Sequence, residues 1–256
     1  MLEDVGGSYE EHLAESYDDM FLQTFAMDTA GAVAFMRSAA GDGPVLELGI
    51  GTGRVAIPLH ESGTTVHGID SSEHMVKILR AKPGGAELPV TIADMASFDL
   101  NMRFPVIYAV FNTFFSLLTQ DAQVSCFQRV ADHLEPGGVF VMQAFVPDAG
   151  RFDLRNQGVS IESTSPQHLE VDAATHDPVA QRVDNVHVVV QDGTVQLFPV
   201  KIRYAYVSEL DLMARMAGLE LRERMSDWDR SAFPGPNGIH ISVWGNGDPE
   251  ASPRAT

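Results

Sequence analysis

Glu47, Gly49, Gly51 and Gly53 stand at alternate positions of "VLELGIGTGRVA", residues 45–56, where an apolar strand runs through a glycine loop into a helix. Glycine lets the backbone turn sharply and lets a ligand approach where a Cβ would collide. In an open parallel sheet such a loop lies at the C-terminal edge of its strand, beside the switch point where ligands bind. Two ligand classes use loops of this kind, dinucleotides and S-adenosylmethionine. The segment "GTGRVA" fits the G-x-G-x-x-A of dinucleotide sites. Glu47 argues the other way, because a carboxylate is awkward beside a pyrophosphate and suits an α-ammonium group.

The spaced pattern E-x-G-x-G-x-G, followed by Arg54, resembles motif I of the class I S-adenosylmethionine-dependent methyltransferases. "GIDSSEHM" (68–75), "IADMASFDL" (92–100) and "HLEPGGVFVM" (133–142) resemble later motifs of the same family, in the same order. The resemblance implies a Rossmann-like fold and a set of cofactor contacts. Glu47 and the main chain of the Gly49, Gly51, Gly53 and Arg54 loop would hold the methionine part. Asp70, with Ser71 beside it, would accept from the ribose hydroxyls. Met75 would lie on the purine, Asp94 would take the exocyclic amine, and the Met95 amide would address a ring nitrogen. Phe111 and Asn112 would face the methionine portion, and Tyr17 would close over the cofactor.

The N-terminal "SYEEHLAESYDDMF" and a late hairpin resemble small-molecule methyltransferases of natural-product pathways, namely amino-sugar N-methyltransferases and indole C3-methyltransferases. Tyr9 and Tyr17 are spaced as two tyrosines are in the sugar enzymes, which makes Tyr9 a catalytic-pocket candidate. The sugar enzymes place a histidine after the fourth strand, whereas "FNTFFSLLTQ" offers Ser116 there. Phe21, Phe114, Phe115, Phe145 and Phe152 suggest a pocket for a flat, apolar acceptor. The expected acceptor is therefore an aromatic or indole carbon. Amine nitrogen is the alternative, and a non-catalytic S-adenosylmethionine-binding regulator is the alternative from another class. Loss of an indole proton needs a base of near-neutral pKa; His240 and Tyr204 are candidates, with His187 and Asp227 behind them. The run "HLEVDAATHD", with His168, Glu170, Asp172 and His176, reads as a solvated lid, and no metal is expected.

Short apolar strands interleaved with helices position these residues, the pattern of a parallel sheet covered on both faces. The expected architecture is one doubly wound α/β domain, mainly parallel with an antiparallel last strand. Residues 1–40 form a helical cap, 41–150 and 204–245 the cofactor-binding core, 151–203 a lid, and 246–256 a disordered tail. Within the lid, residues up to about 182 read as irregular. The rest reads as an antiparallel hairpin turning at Asp192-Gly193, with Pro199 suited to an edge strand. In the following helix Ser208 reads as N-cap, with Asp211 as its partner.

Composition narrows the partners. The 256 residues carry a formal net charge of -18, which would repel a nucleic acid substrate. Cys126 is the lone cysteine, so no intrachain disulfide can form; it falls on the apolar stripe of a helix, as packing. No apolar run approaches a membrane span, and the acidic N-terminus lacks the basic region of a signal peptide, so a cytoplasmic protein without membrane partners is expected. A small-molecule acceptor is the expected partner; whether the chain forms a homodimer stays open.

Overall fold

The computed structural model describes residues 28–235 and 238–246. Eleven strands and five helices alternate among them. In chain order they are α1 (Thr29–Ala40), β1 (Val45–Leu48), α2 (Ala56–Glu61), β2 (Val66–Asp70), α3 (Glu73–Ala81), β3 (Val90–Ile92), β4 (Phe104–Ala109), α4 (Gln120–His133), β5 (Leu134–Phe145), β6 (Gln157–Ser165), β7 (His168–Asp177), β8 (Arg182–Gln191), β9 (Thr194–Arg203), α5 (Val207–Met216), β10 (Leu219–Met225) and β11 (Ile239–Asn246).

Seven strands form one sheet in the order β10-β11-β5-β4-β1-β2-β3. Strands β3, β2, β1, β4 and β5 run parallel, and β11 lies antiparallel to both β5 and β10. The strand order reverses at β1, so the loops after β1 and β4 part there and leave a crevice at the switch point. Every residue of β1 is buried, Glu47 included, as befits a central strand covered on both faces. One apolar cluster, built around Phe127, Phe140 and Trp244 with α4 and α5, fills one face of the sheet. A second cluster, including Met36, Leu59 and Trp228, fills the other with α1 and α2.

Strands β6 to β9 make a separate antiparallel meander in sequential order. The predicted hairpin is β8–β9. Asp192 (φ 49°) and Gly193 (φ 80°) form its two-residue connection, the left-handed pair that matches strand twist. Pro199 sits on edge strand β9, where a missing N–H costs no ladder bond. The stretch expected to be irregular is instead β6 and β7. Alternate residues Glu170, Ala174 and His176 of β7 are buried, so a polar-looking run is a two-sided strand and not a solvated lid.

Two further expectations are corrected. Strand β10 was not foreseen, because its charged sequence LELRERM is that of a sheet edge. Helix α5 is capped at Tyr206 without a side-chain bond, and Ser208 lies inside its first turn. Asp211 serves tertiary packing instead, accepting from Arg224 at 2.6 Å and from the Trp244 indole at 3.0 Å. The N-terminal cap before residue 28 and the tail after 246 lie outside the described residues.

Candidate active site

The three glycines have three different tasks. Gly49, Gly51 and Gly53 all have positive φ, of 66°, 55° and 82°, which L-residues with a Cβ adopt at a cost. A Cβ at Gly53 would lie 2.2 Å from Leu79 Cδ1, so this glycine lets the loop close on α3. A Cβ at Gly49 would strike Thr113 Cγ2 at 2.3 Å, so this one lets the loops after β1 and β4 touch. At Gly51 a Cβ would meet no heavy atom closer than 3.9 Å, yet the residue lines a cavity. Its glycine keeps open space for a ligand against the backbone.

That cavity has a volume of about 1330 Å³, above the range of roughly 300–1,000 Å³ that holds a single drug-sized ligand. Its floor is the C-terminal edge of the parallel sheet. Asp70 Oδ2 accepts from Gly51 N at 2.7 Å and Oδ1 accepts from Ser72 N at 2.8 Å. The carboxylate still has accepting capacity for a ligand hydroxyl. Burial pushes the Asp70 carboxyl above its ordinary range, against the opposing pull of the Ser72, Gly51 and Ser71 amides. Ser72, rather than Asp70, caps α3. Asp70 is thus free of capping duty and faces the cavity with Ser71 and Met75. Asp94 and Met95 continue the floor beyond β3, with Asp94 Oδ1 held by Ala96 N at 2.7 Å.

Phe111 and Asn112 follow β4 and line the cavity. Both are left-handed without being glycine, φ 55° and 66°. Such a pair costs about 1–3 kcal/mol per residue and persists only when its surroundings hold it. Here Asn112 Oδ1 accepts from Phe145 N at 2.8 Å and Asn112 N donates to Gln143 O at 3.2 Å. Gln143 Oε1 accepts from Phe111 N at 3.3 Å. Gln143 belongs to the wall and was not foreseen, since a polar residue inside an apolar strand carries no spacing signal.

Three cofactor expectations move off the wall. Glu47 is 4% exposed and accepts from the Tyr108 hydroxyl at 2.9 Å, beneath the loop. Burial raises its carboxyl from the ordinary 4.5 to about 8, against the lowering by Tyr108 and Arg54. It lies in the middle of a strand whose side chains are all covered, so it supports the loop from below. Gly53 packs on α3, and Arg54 lies over the Phe111 ring, 3.8 Å from its centroid.

The acceptor expectations divide in the same way. Phe145 and Phe152 line the cavity. Phe114 and Phe115 are fully buried in the core, against Phe127 and Phe145 respectively. The chain turns under the sheet after Asn112, and that 3-10 turn carries both rings inward. Ser116 does face the cavity, its hydroxyl spent on Thr113 O at 2.8 Å. Cys126 is buried packing, and burial raises its thiol. Tyr9, Tyr17 and Phe21 lie outside the described residues.

Of the base candidates, Tyr204 and Asp227 reach the cavity. Tyr204 Oη lies 2.8 Å from His176 Nε2, and the His176 ring stacks on Phe152 with centroids 4.3 Å apart. Burial holds the Tyr204 hydroxyl above its usual pKa, so it stays protonated. His240 is removed from the role. It is fully buried off the cavity with Nδ1 at 2.9 Å from Ser242 Oγ, and burial lowers it to about 4. His187 lies behind Asp172, 2.9 Å from it.

The roof is the inner face of the meander, with Ala174, Val183, Val200 and Ile202 beside Glu162, Asp172 and Asn185. It is fastened to the core by Arg203, which is 4% exposed and donates to Glu209 at 2.7 Å, to Gln181 at 2.8 Å and to Gln123. Among the described residues no cluster of His, Cys, Asp and Glu could hold a metal ion, and no helix is long and apolar enough to cross a membrane.

Known proteins resemble this chain in sequence and fold. Residues 45–138 match the family model described as a methyltransferase domain. The CcbJ methyltransferase of Streptomyces caelestis is 38% identical, with 94% of this chain and 97% of that one covered and a TM-score of 0.83. The cypemycin N-terminal methyltransferase of a Streptomyces species is 29% identical over 218 residues, 83% of this chain and 87% of the relative. The dTDP-3-amino-3,4,6-trideoxy-alpha-D-glucopyranose N,N-dimethyltransferase of Streptomyces venezuelae is 27% identical over 139 residues, 53% of this chain and 58% of the relative.

Proposed function

This chain belongs to the class I S-adenosylmethionine-dependent methyltransferases, and from that premise we propose that it methylates the amine nitrogen of a small natural-product precursor. The observation that carries this reading is one continuous cavity. It joins the glycine-loop floor to a roof and rim bearing the carboxylates of Asp148, Glu162 and Asp172. An acidic lining favours a cationic or hydrogen-bond-donating acceptor. The names of two of the relatives also point to amines, one an N-terminal methyltransferase and the other an amino-sugar N,N-dimethyltransferase.

The cofactor fits the residues present, because Gly51 leaves room for it and Asp70 keeps lone pairs for its ribose. S-adenosylmethionine supplies a sulfonium-activated methyl group and leaves as S-adenosylhomocysteine. The chain's contribution is to hold the amine in line and dry, and such positioning is worth roughly 7–11 kcal/mol. Phe145 and Phe152 exclude water around the acceptor. An acceptor that binds as an ammonium must lose one proton before attack, to free the nitrogen's lone pair. Tyr204 Oη can accept that proton while the phenol's own proton passes to His176 Nε2, 2.8 Å away. The phenol remains neutral and the imidazole carries the charge.

An aromatic carbon is the second reading, favoured by the Phe145 and Phe152 surface. It has lost Phe114 and Phe115, which are core. Turnover with amines and indoles, read as S-adenosylhomocysteine release and methyl position by NMR, separates the two. Product on nitrogen supports the proposal, and product on indole C3 overturns it.

A further inference from the structure

Resting on the amine-acceptor reading, we infer that Asp172 and Asn185 on the underside of the meander anchor a second hydrogen-bond-donating group of the acceptor, away from the nitrogen that is methylated. Asp172 and Asn185 both line the cavity. Asp172 Oδ1 takes two bonds, from Asn185 Nδ2 at 2.9 Å and from His187 Nδ1 at 2.9 Å. Among the described residues Oδ2 takes none, and no ion pair other than that with His187 reaches this carboxylate. Asn185 Oδ1 is buried without a partner. The assignment of the Asn185 amide follows from its neighbour, since an amide oxygen turned to Asp172 would face another acceptor.

The two residues therefore hold two unspent acceptors beside the second N–H of Asn185, and a buried unspent acceptor calls for a donor. The group that completes them is an ammonium at its strongest, or a hydroxyl. His187 hydrogen bonding holds the Asp172 carboxyl below its ordinary range, with Asn185 assisting and burial opposing. A carboxylate so held is a poor proton acceptor and a durable anchor. That separates it from Tyr204, whose hydroxyl has the His176 ring to receive a proton. Arg151 and Lys201 also line the cavity. The Arg151 charge also acts on the Asp172 carboxyl, so a cationic group on the acceptor would share that carboxylate's field with Arg151.

Three ring amines of similar shape test the assignment: 4-methylpiperidine, 4-hydroxypiperidine and 4-aminopiperidine. Their dissociation constants are measured by calorimetry on protein saturated with S-adenosylhomocysteine. The wild type is expected to bind the amino compound about 10- to 100-fold more tightly than the methyl compound, with the hydroxyl compound between them. In Asp172→Asn the preference falls to within about threefold, and Asn185→Ala shows a smaller loss of the same sign. An unchanged affinity for S-adenosylhomocysteine shows that both variants are folded. Equal affinities in the wild type, or no binding of any of the three, overturn the anchor. Equal weakening of all three by Asp172→Asn places the carboxylate at the reacting nitrogen and also overturns it. Methylation of the same compounds is scored separately. Discrimination without N-methyl product refutes the amine reading and leaves the anchor, and product without discrimination does the reverse.

Discussion

Glu47→Gln should reverse part of the protein's pH dependence. The Glu47 carboxyl is buried in the native state and titrates near 8, against 4.5 for an ordinary glutamate. The native state therefore holds the proton more tightly than the unfolded chain. Stability from this group is complete below pH 4.5 and is lost as pH rises through about 8. Between pH 6 and pH 9 the loss comes to about 2.5–3 kcal/mol, from 1.36 kcal/mol per unit. Glutamine keeps an acceptor for the Tyr108 hydroxyl, 2.9 Å away in the wild type, and cannot ionise. For a domain of this size each kcal/mol is worth about 2–4 °C. The wild type should thus lose roughly 5–12 °C more than Glu47→Gln over that interval. Melting curves of both proteins at pH 6, 7, 8 and 9, without cofactor, read the difference directly. Every other titrating group is common to the pair and cancels. Parallel curves would refute the reasoning, because they would mean that Glu47 is already ionised at pH 6 in the native state.

Asp70→Ala should weaken S-adenosylhomocysteine binding by about 1.5–3 kcal/mol, the worth of charge-assisted hydrogen bonds; unchanged affinity by calorimetry removes Asp70 from the site. Phe115→Ala should destabilise the fold by about 3–5 kcal/mol in urea titrations, with acceptor KM within a factor of about two because the ring is beneath the cavity. A large KM effect on a stable protein would return Phe115 to the wall. Tyr204→Phe should lower kcat by about 10²-fold while KM holds, as loss of a proton acceptor requires. An unchanged kcat would show that the amine proton leaves by another route.

The parallel half of the fold was legible because central strands are apolar on both faces and their loops carry glycine at forced positions. Gly49, Gly51 and Gly53 could be read as a site without knowing which of them touches the ligand. That distinction depends on Thr113 and Leu79, which pack against two of them from distant parts of the chain. The meander was half legible. Asp192-Gly193 announces β8–β9 through turn chemistry. Strands β6 and β7 are joined by a polar turn, and their inward residues are Asp172 and His176 instead of leucine or valine. A strand that presents polar groups to a cavity defeats the usual rule of apolar inside. Phe114 and Phe115 failed for the converse reason, since aromatic residues after a strand end suit a wall and a core equally well. Only the left-handed Phe111–Asn112 pair decides which way the next turn faces.

The roof has one further consequence, for how acceptor preference can diverge. Most of the side chains that roof the cavity come from Glu162 through Tyr204, one uninterrupted stretch whose strands pair only with their sequence neighbours. The floor is assembled from loops scattered between Gly49 and Phe145 and shares no strand with it. Changes to the roof therefore fall in a single cassette, joined to the core through Arg203, while Phe145 and Phe152 stay outside it. Descendants of this chain can vary that cassette by drift while the floor of Gly49, Gly51 and Asp70 is inherited intact.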